Sequence, residues 1–333
     1  MYICITGGTG FIGSHCCVSL IQEGYDVILL DNLTNSNVGV MEQIYDITGI
    51  RPLFHKIDLR NAAELNEFFH EYRNKIHCVI HCASLKSISD SYVNPIDYYD
   101  TNVLGTINLI KSMIFGNCKN IIFSSSATVY GNNSDYVPLS EQSDRLVGHP
   151  YGQTKVIIED LLKNIIESDP SWNVIILRYF NPVGAHPSGR LGENPKMKPN
   201  NLFPIICDVA LGKIDKLIVY GKDYNTPDGT AIRDYIHIMD LAEGHIAALK
   251  KINNIHYDVI NLGTGRGHSV LEVIDCMEEV SGLIIKYEIS ERREGDVPVC
   301  YTLTEKAYKL LEWKAERTLE DMCLDAWIWK IQK

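Results

Sequence analysis

Residues 2–33 read YICITGGTGFIGSHCCVSLIQEGYDVILLDNL. An apolar, β-rich run from Tyr2 to Thr6 is followed by Gly7, Gly10 and Gly13, and a helical stretch begins near Phe11. A second apolar run then closes on Asp31. Glycines at this spacing permit a tight turn and let backbone amides approach a pyrophosphate at a helix N-terminus, where the dipole favours negative charge. A glycine pattern alone is a weak signal. Placed between a strand and a helix, and answered by an acid at the next strand end, it reads as a dinucleotide-binding signature. A carboxylate at Asp31 accepts from an adenosine 2′-hydroxyl and repels a 2′-phosphate, which favours NAD over NADP.

Three further runs extend the pattern: HCVIHCA (77–83), NIIFSSS (120–126) and NVIILRYF (173–180). Strands alternating with helical stretches predict a Rossmann-type, doubly wound parallel sheet with helices on both faces. After Asn181 the chain turns rich in Pro, Gly and Asn, in a stretch too long for an ordinary connection. Shorter elements follow: KLIVYG (216–221), YDVINLG (257–263), and helices expected over 240–251, 269–279 and 321–330. We therefore expect an NAD-binding domain over 1–180 and a smaller C-terminal α/β substrate lobe over 181–333, with some exchange of chain between the two.

The chain has 333 residues, 31 basic and 42 acidic, for a net charge of −11. That sign repels a phosphate backbone and argues against nucleic acid as a partner. No apolar run is long enough to span a bilayer. The ten cysteines are scattered, without a Cys-x-x-Cys pair or a ligand-like cluster, so free thiols in a reducing cytoplasm and no metal site are expected. No basic, apolar and cleavage-site sequence marks a secretory signal. Asn32-Leu33-Thr34 and Asn132-Asn133-Ser134 match the glycosylation pattern, but modification at Asn32 would block the dinucleotide site.

HPYGQTKVIIED (149–160) places Tyr151 and Lys155 one turn apart just after a proline suited to a helix's first turn. Two such residues are also common on a solvated helix. Ser126, 25 residues earlier, ends an apolar run, where a hydroxyl can reach the same substrate oxygen as a nearby phenol. A tyrosine titrates near 10, so acting as a base near neutrality needs a drop worth about 4 kcal/mol. A lysine charge about 6 Å away supplies ~2.8 kcal/mol at an effective dielectric of about 20. Asp58 and Leu59, in HKIDLR, stand where adenine lies in a doubly wound sheet, although a simple turn acid fits equally well.

The glycine signature, LDNLTNS (30–36), VIHCASLKS (79–87), FSSSATVYG (123–131), YGQTK (151–155) and RYFNPVGAHPSGRLGE (178–193) are joined by NNLFP (200–204), DGTAIRDYIHIMDLA (228–242) and RREGDVP (292–298). Together they resemble the extended short-chain dehydrogenase/reductase family, and within it the UDP-glucose 4-epimerases, from Tyr2 to about Lys330. The resemblance implies catalysis by Ser126, Tyr151 and Lys155. It implies NAD held by Gly7, Gly10, Phe11, Ile12, Gly13, Asp31, Asn32, Asn35, Ser36, Asp58, Leu59, Cys82, Ala83, Ser84, Lys86, Tyr151, Lys155 and Phe180.

It further implies a UDP-sugar pocket of Ser126, Asn181, Asn201, Leu202, Tyr220, Arg233, Arg293, Asp296, Cys300 and Tyr301, with Arg292 left as a surface charge. Two positions depart from the family, which often has a large aromatic at Cys82 and a glycine at Ser84. Cys300 stands where family members that exclude N-acetylated sugars carry tyrosine. The helices over 95–115 and around Tyr151 resemble the pair that forms a homodimer interface. Inversion at a sugar C4 through a 4-keto intermediate is the activity implied.

Three other activities compete. A sugar-nucleotide 4,6-dehydratase is implied to need an acid pair beside its serine or threonine, where this chain has Ala127 and Thr128. A UDP-glucuronate epimerase or decarboxylase shares the same motifs. An NAD-sensing regulator without chemistry conflicts with Ser126, Tyr151 and Lys155 all being present.

Overall fold

A computed structural model of the chain describes residues 1–131, 133, 137–196, 201–293 and 295–333. Asn132 and Ser134 of the second glycosylation triplet, and 197–200 of the long Pro/Gly/Asn stretch, lie outside the described residues. Six strands follow one another along the first half: β1 (Tyr2–Thr6), β2 (Val27–Asp31), β3 (Leu53–Lys56), β4 (Ile76–His81), β5 (Asn120–Ser126) and β6 (Asn173–Tyr179). They form a seven-stranded sheet with the strand Tyr257–Leu262, in the order Tyr257–Leu262, β6, β5, β4, β1, β2, β3. Every pairing is parallel. The order reverses at β1, and ligands bind outside the carboxyl ends of such strands.

Strand periodicity explains the two layers of core. Ile3, Ile5, Leu29, Ile80, Ile175 and Leu177 face one side, against Cys16, Val18 and Leu20 of the helix Phe11–Gln22 and Leu241, Ala248 and Leu249 of the helix Ile238–Lys251. Their neighbours Cys4, Ile28, Leu30, Val79, Phe123 and Ile176 face the other, against Leu65, Leu109, Ile158 and Leu162. Both faces are apolar, so these strands read as continuous hydrophobic runs. The seventh strand, Tyr257–Leu262, comes from the second half of the chain. The remaining elements build a separate core of Phe203, Ile206, Val219, Tyr235, Ile274, Met277 and Met322.

The helix expected over 95–115 is interrupted. Pro95–Tyr98 and Gly105–Phe115 are α-helical, and Tyr99–Leu104 between them is a π turn. The wider turn carries Asn102, whose Oδ1 accepts from the Leu85 amide at 2.8 Å. Its Nδ2 donates to the Leu85 carbonyl at 3.1 Å and to Thr154 Oγ1 at 3.0 Å. The loop after β4 is thereby tied to the helix that carries Tyr151.

Buried titratable groups set an acid limit on this fold. Burial pushes His15 and His81 down to about 3 and His245 to about 4. Burial pushes Asp234 up to about 6, although Thr264, Gly265 and Thr302 donate to its carboxylate. As pH falls below 6.5 the unfolded chain protonates three histidines that the folded chain keeps neutral, which removes stability. Between pH 6 and 4 Asp234 opposes this by one proton, because its folded form holds a proton the unfolded form has lost. The net of about two protons predicts a loss on the order of 3 kcal/mol per pH unit in that window. Urea unfolding across pH 7 to 4 checks this, and a flat profile contradicts it.

Candidate active site and cofactor cradle

Pro150 opens the helix Pro150–Ser168, and His149 caps it by accepting the Gly152 amide on Nδ1 at 2.9 Å. The His149 ring stacks on Tyr151 with centroids 6.0 Å apart and 16° between planes, while Tyr98 meets Tyr151 edge-on at 6.4 Å. Tyr151, Lys155 and Glu159 follow at i, i+4 and i+8 and are all buried. The hydroxyl of Ser126, the last residue of β5, lies close enough to the Tyr151 phenol to favour its ionised form. Ser126 Oγ also accepts the Thr128 amide at 3.2 Å, which fixes its direction. The three residues singled out from the sequence are therefore brought together, outside the carboxyl end of β5.

One expectation is corrected. Lys155 Nζ does lie 5.8 Å from the centre of the Tyr151 ring and donates to the Ser124 carbonyl at 2.9 Å, but its charge is not what dominates at the phenol. Burial does, pushing Tyr151 up to about 12 against the opposing effect of the Ser126 hydroxyl. Burial also pushes Lys155 down to about 8, opposed by Cys82 and Glu159. A charge at that distance is outweighed when both groups lose their water.

The glycine loop forms a cradle that only small residues allow. Gly7 has φ +67°, and a Cβ there would lie 2.8 Å from the Ala83 amide nitrogen. A Cβ on Gly13 would lie 2.3 Å from the Gly7 carbonyl oxygen. Gly10 is the N-cap of the helix Phe11–Gln22 without a side-chain cap bond, so no side chain of its own covers the first-turn amides of Phe11 and Ile12.

Asp31 Oδ1 accepts from the Leu33 amide at 2.8 Å and Ser36 Oγ at 2.9 Å. Its Oδ2 accepts only the Thr9 amide among the described bonds, at 3.1 Å, and keeps capacity for a ribose hydroxyl. Asn32 donates to Asp58 at 3.0 Å, and Asn108 donates to the Leu59 carbonyl at 3.1 Å, which places both adenine-side candidates beside the β2 loop. Asp58 also takes Arg60 at 2.8 Å, as a turn acid would. These residues fit a dinucleotide.

The loop 82–86 carries the residues that the family resemblance puts on the nicotinamide side. Cys82 Sγ lies 3.2 Å from Ser124 Oγ, and Ser124 Oγ lies 3.0 Å from His245 Nε2. Ser84 Oγ donates to the Leu85 carbonyl at 2.9 Å, and Phe180 is buried against Tyr130 with centroids 6.4 Å apart. Beneath them runs a polar layer not read from the sequence. Arg178 forms a fork with Glu159 at 2.9 and 2.6 Å, and Ser125 donates to the same carboxylate at 2.6 Å.

The sugar-side candidates converge on the short strand Ile232–Arg233. It pairs in parallel with Val299–Cys300, setting Cys300 opposite Arg233. Arg233 also pairs with Asp296 at 3.2 Å, and the Arg293 guanidinium lies 4.0 Å over the Tyr220 ring. Arg292 instead pairs with Asp223 at the surface, as its sequence context suggested. Asn181 donates its amide to the Asp234 carbonyl at 3.0 Å, and the Tyr301 carbonyl accepts the Leu139 amide at 2.8 Å. Cys300 packs against Val129, Tyr130, Leu139 and Phe180, so this group abuts the turn that follows Ser126. Asn201 stands just before the helix Leu202–Ala210 without a side-chain cap bond, and its side chain instead donates to Glu193, a residue the sequence reading left out.

The NAD dependent epimerase/dehydratase family matches residues 3–263. UDP-glucose 4-epimerase of Bacillus subtilis is 46% identical over 331 residues, covering 99% of this chain and 97% of its own. The structure of UDP-glucose 4-epimerase from Bifidobacterium longum in complex with NAD+ and UDP superposes with a TM-score of 0.95 at 46% identity, covering 100% of this chain and 98% of its own. That of the Stenotrophomonas maltophila enzyme, with NAD and formylated UDP-arabinopyranose, gives 0.96 at 42% identity, covering 100% and 98%. With its cradle, its Ser126–Tyr151 pair and these relatives, the chain belongs to the NAD dependent epimerase/dehydratase family, among the UDP-glucose 4-epimerases.

Proposed function

We propose that the protein interconverts UDP-galactose and UDP-glucose with tightly held NAD, and the observation that carries this reading is the burial together of Ser126, Tyr151 and Lys155, with Lys155 Nζ 5.8 Å from the centre of the Tyr151 ring. The cradle of Gly7, Gly10, Gly13 and Asp31 would hold NAD, whose chemistry would be to accept a hydride from the sugar's C4 and give it back to the other face. Tyr151 takes the 4-hydroxyl proton and later restores it, while Ser126 holds that oxygen. Lys155, held by the Ser124 carbonyl, keeps a positive charge on the phenol's side of the helix. The fall in the Tyr151 pKa that catalysis near neutrality needs is assigned to the cofactor's positive ring.

Arg233 and Arg293 grip the UDP pyrophosphate, which leaves the sugar free to turn over as a tethered 4-keto intermediate. Residues 181–333 supply most of this pocket and 1–180 most of the cradle, with Tyr257–Leu262 returned to the first sheet. The protein should carry NAD through purification. Denaturing it and assaying the supernatant tests this, and a protein free of the dinucleotide contradicts the reading.

Cys300 sets the substrate range. It is half-buried beside Phe180 and Tyr130, and several heavy atoms smaller than a tyrosine. Space beside the sugar's C2 substituent then admits UDP-N-acetylglucosamine and UDP-N-acetylgalactosamine. Cys300→Tyr should lower turnover of the N-acetyl pair by about tenfold or more relative to the plain pair, an overpacking cost of about 1.4 kcal/mol. Equal loss on both pairs, or no N-acetyl turnover in the wild type, contradicts it.

The ten cysteines are all free, which suits a cytoplasmic enzyme. Among the described residues, no helix is long and apolar enough to cross a membrane. Val93, Ile96, Leu104 and Ile114 expose 77, 75, 43 and 54% of their surface along the segment 93–115, which supports a homodimer through this helix and the Tyr151 helix. Sedimentation at micromolar concentration should give a dimer, and a monomer there contradicts the assignment.

A further inference from the structure

Glu193 stands in the segment that leaves the sheet after Asn181, and its side chain is only 13% exposed. Its Oε1 accepts from Lys86 Nζ at 2.9 Å and from Asn201 Nδ2 at 2.9 Å. Lys86 belongs to the cofactor set and Asn201 to the sugar set, so one carboxylate oxygen joins the two. The Trp329 indole donates to the Glu193 carbonyl at 3.4 Å, which ties the backbone to the helix Leu319–Ile331.

The flanking residues reach the adenosine side. Arg190 Nη1 donates to the Asp46 carbonyl at 2.8 Å. Lys196 donates from Nζ to the Leu33 carbonyl at 2.7 Å and from its amide to the Asn35 carbonyl at 3.3 Å. Residues 190–196 therefore form a strap from the C-terminal helix to the loop behind Asp31. Glu193 uses up neither of its partners, since an ammonium has three donors and an amide two.

We infer that Glu193 is a clasp residue that couples occupancy of the UDP-sugar site to retention of the dinucleotide. The inference deepens the reading of Proposed function and rests on it. Ordering Asn201 on a sugar nucleotide orders Glu193, and with it Lys86 and the strap over Leu33 and Asn35. The dinucleotide then leaves a loop that is already fixed, and the coupling acts equally in the other direction.

Exchange of bound NAD for isotopically labelled NAD, followed in the holoprotein with and without saturating UDP, tests this. In the wild type UDP should slow NAD release by about tenfold. Glu193→Ala should release NAD about tenfold faster without UDP, and UDP should then slow it by less than about twofold. Glu193→Gln keeps one acceptor oxygen and should fall between. Lys196→Met removes the anchor on Leu33 without touching Glu193, and should also speed release, so the test stands even if Glu193→Ala fails to fold. Wild-type release and a wild-type UDP effect in the folded Glu193 variants overturn the clasp alone. A wild type that binds no NAD overturns the clasp together with the epimerase reading.

Discussion

Tyr151→Phe should lower kcat by about 10²- to 10⁴-fold while UDP-sugar binding stays near the wild-type level, because only the group that exchanges a proton is removed. The ring is held between His149 and Tyr98, and those contacts do not need the hydroxyl. Loss of the hydroxyl leaves Ser126 still anchored by the Thr128 amide. The pocket should therefore keep its shape. Steady-state kinetics together with calorimetric titration of UDP-glucose separate the two effects. Turnover within a fewfold of wild type would remove Tyr151 from the role of base.

Arg178→Met should cost about 3 to 5 kcal/mol of stability, read as a lower urea midpoint. Arg178 and Glu159 are 4% and 2% exposed and meet in a two-bonded fork. Removing the guanidinium leaves the carboxylate with Ser125 as its remaining buried donor and with Arg145 at 3.5 Å. A buried pair is weak support for stability as such, but half of one is a liability. The double variant Glu159→Leu/Arg178→Met should recover part of the loss, since no charge is then left without a partner. A single variant as stable as wild type would show that water reaches Glu159.

The local parts of this site were legible. Strand-glycine-helix order located the cradle, the acid at the end of β2 located Asp31, and helical spacing put Tyr151 and Lys155 on one face. Glu159 continues that same spacing, and Arg178 interrupts an otherwise apolar strand. A lone charge in such a run signals a buried partner, so this pair could have been found. Glu193 could not, because its partners stand 107 residues before it and eight after it, and no periodicity links them.

The π turn at Tyr99–Leu104 was hidden for a related reason. Its cause is the bonding of Asn102 to Leu85 and Thr154, which is tertiary. The proton affinity of Tyr151 failed on a physical point rather than a pattern. A distance between two charges can be estimated from helix geometry, whereas the loss of water around both depends on everything packed over them.

The most direct test is to give the purified protein UDP-galactose with no NAD added. The account predicts UDP-glucose accumulating to equilibrium over many turnovers, with no net NADH, because the hydride is returned on each one. NADH formed in proportion to product would make the protein a dehydrogenase, and no UDP-glucose from protein shown to hold NAD would contradict the assignment of Tyr151, Ser126 and the cradle to epimerisation.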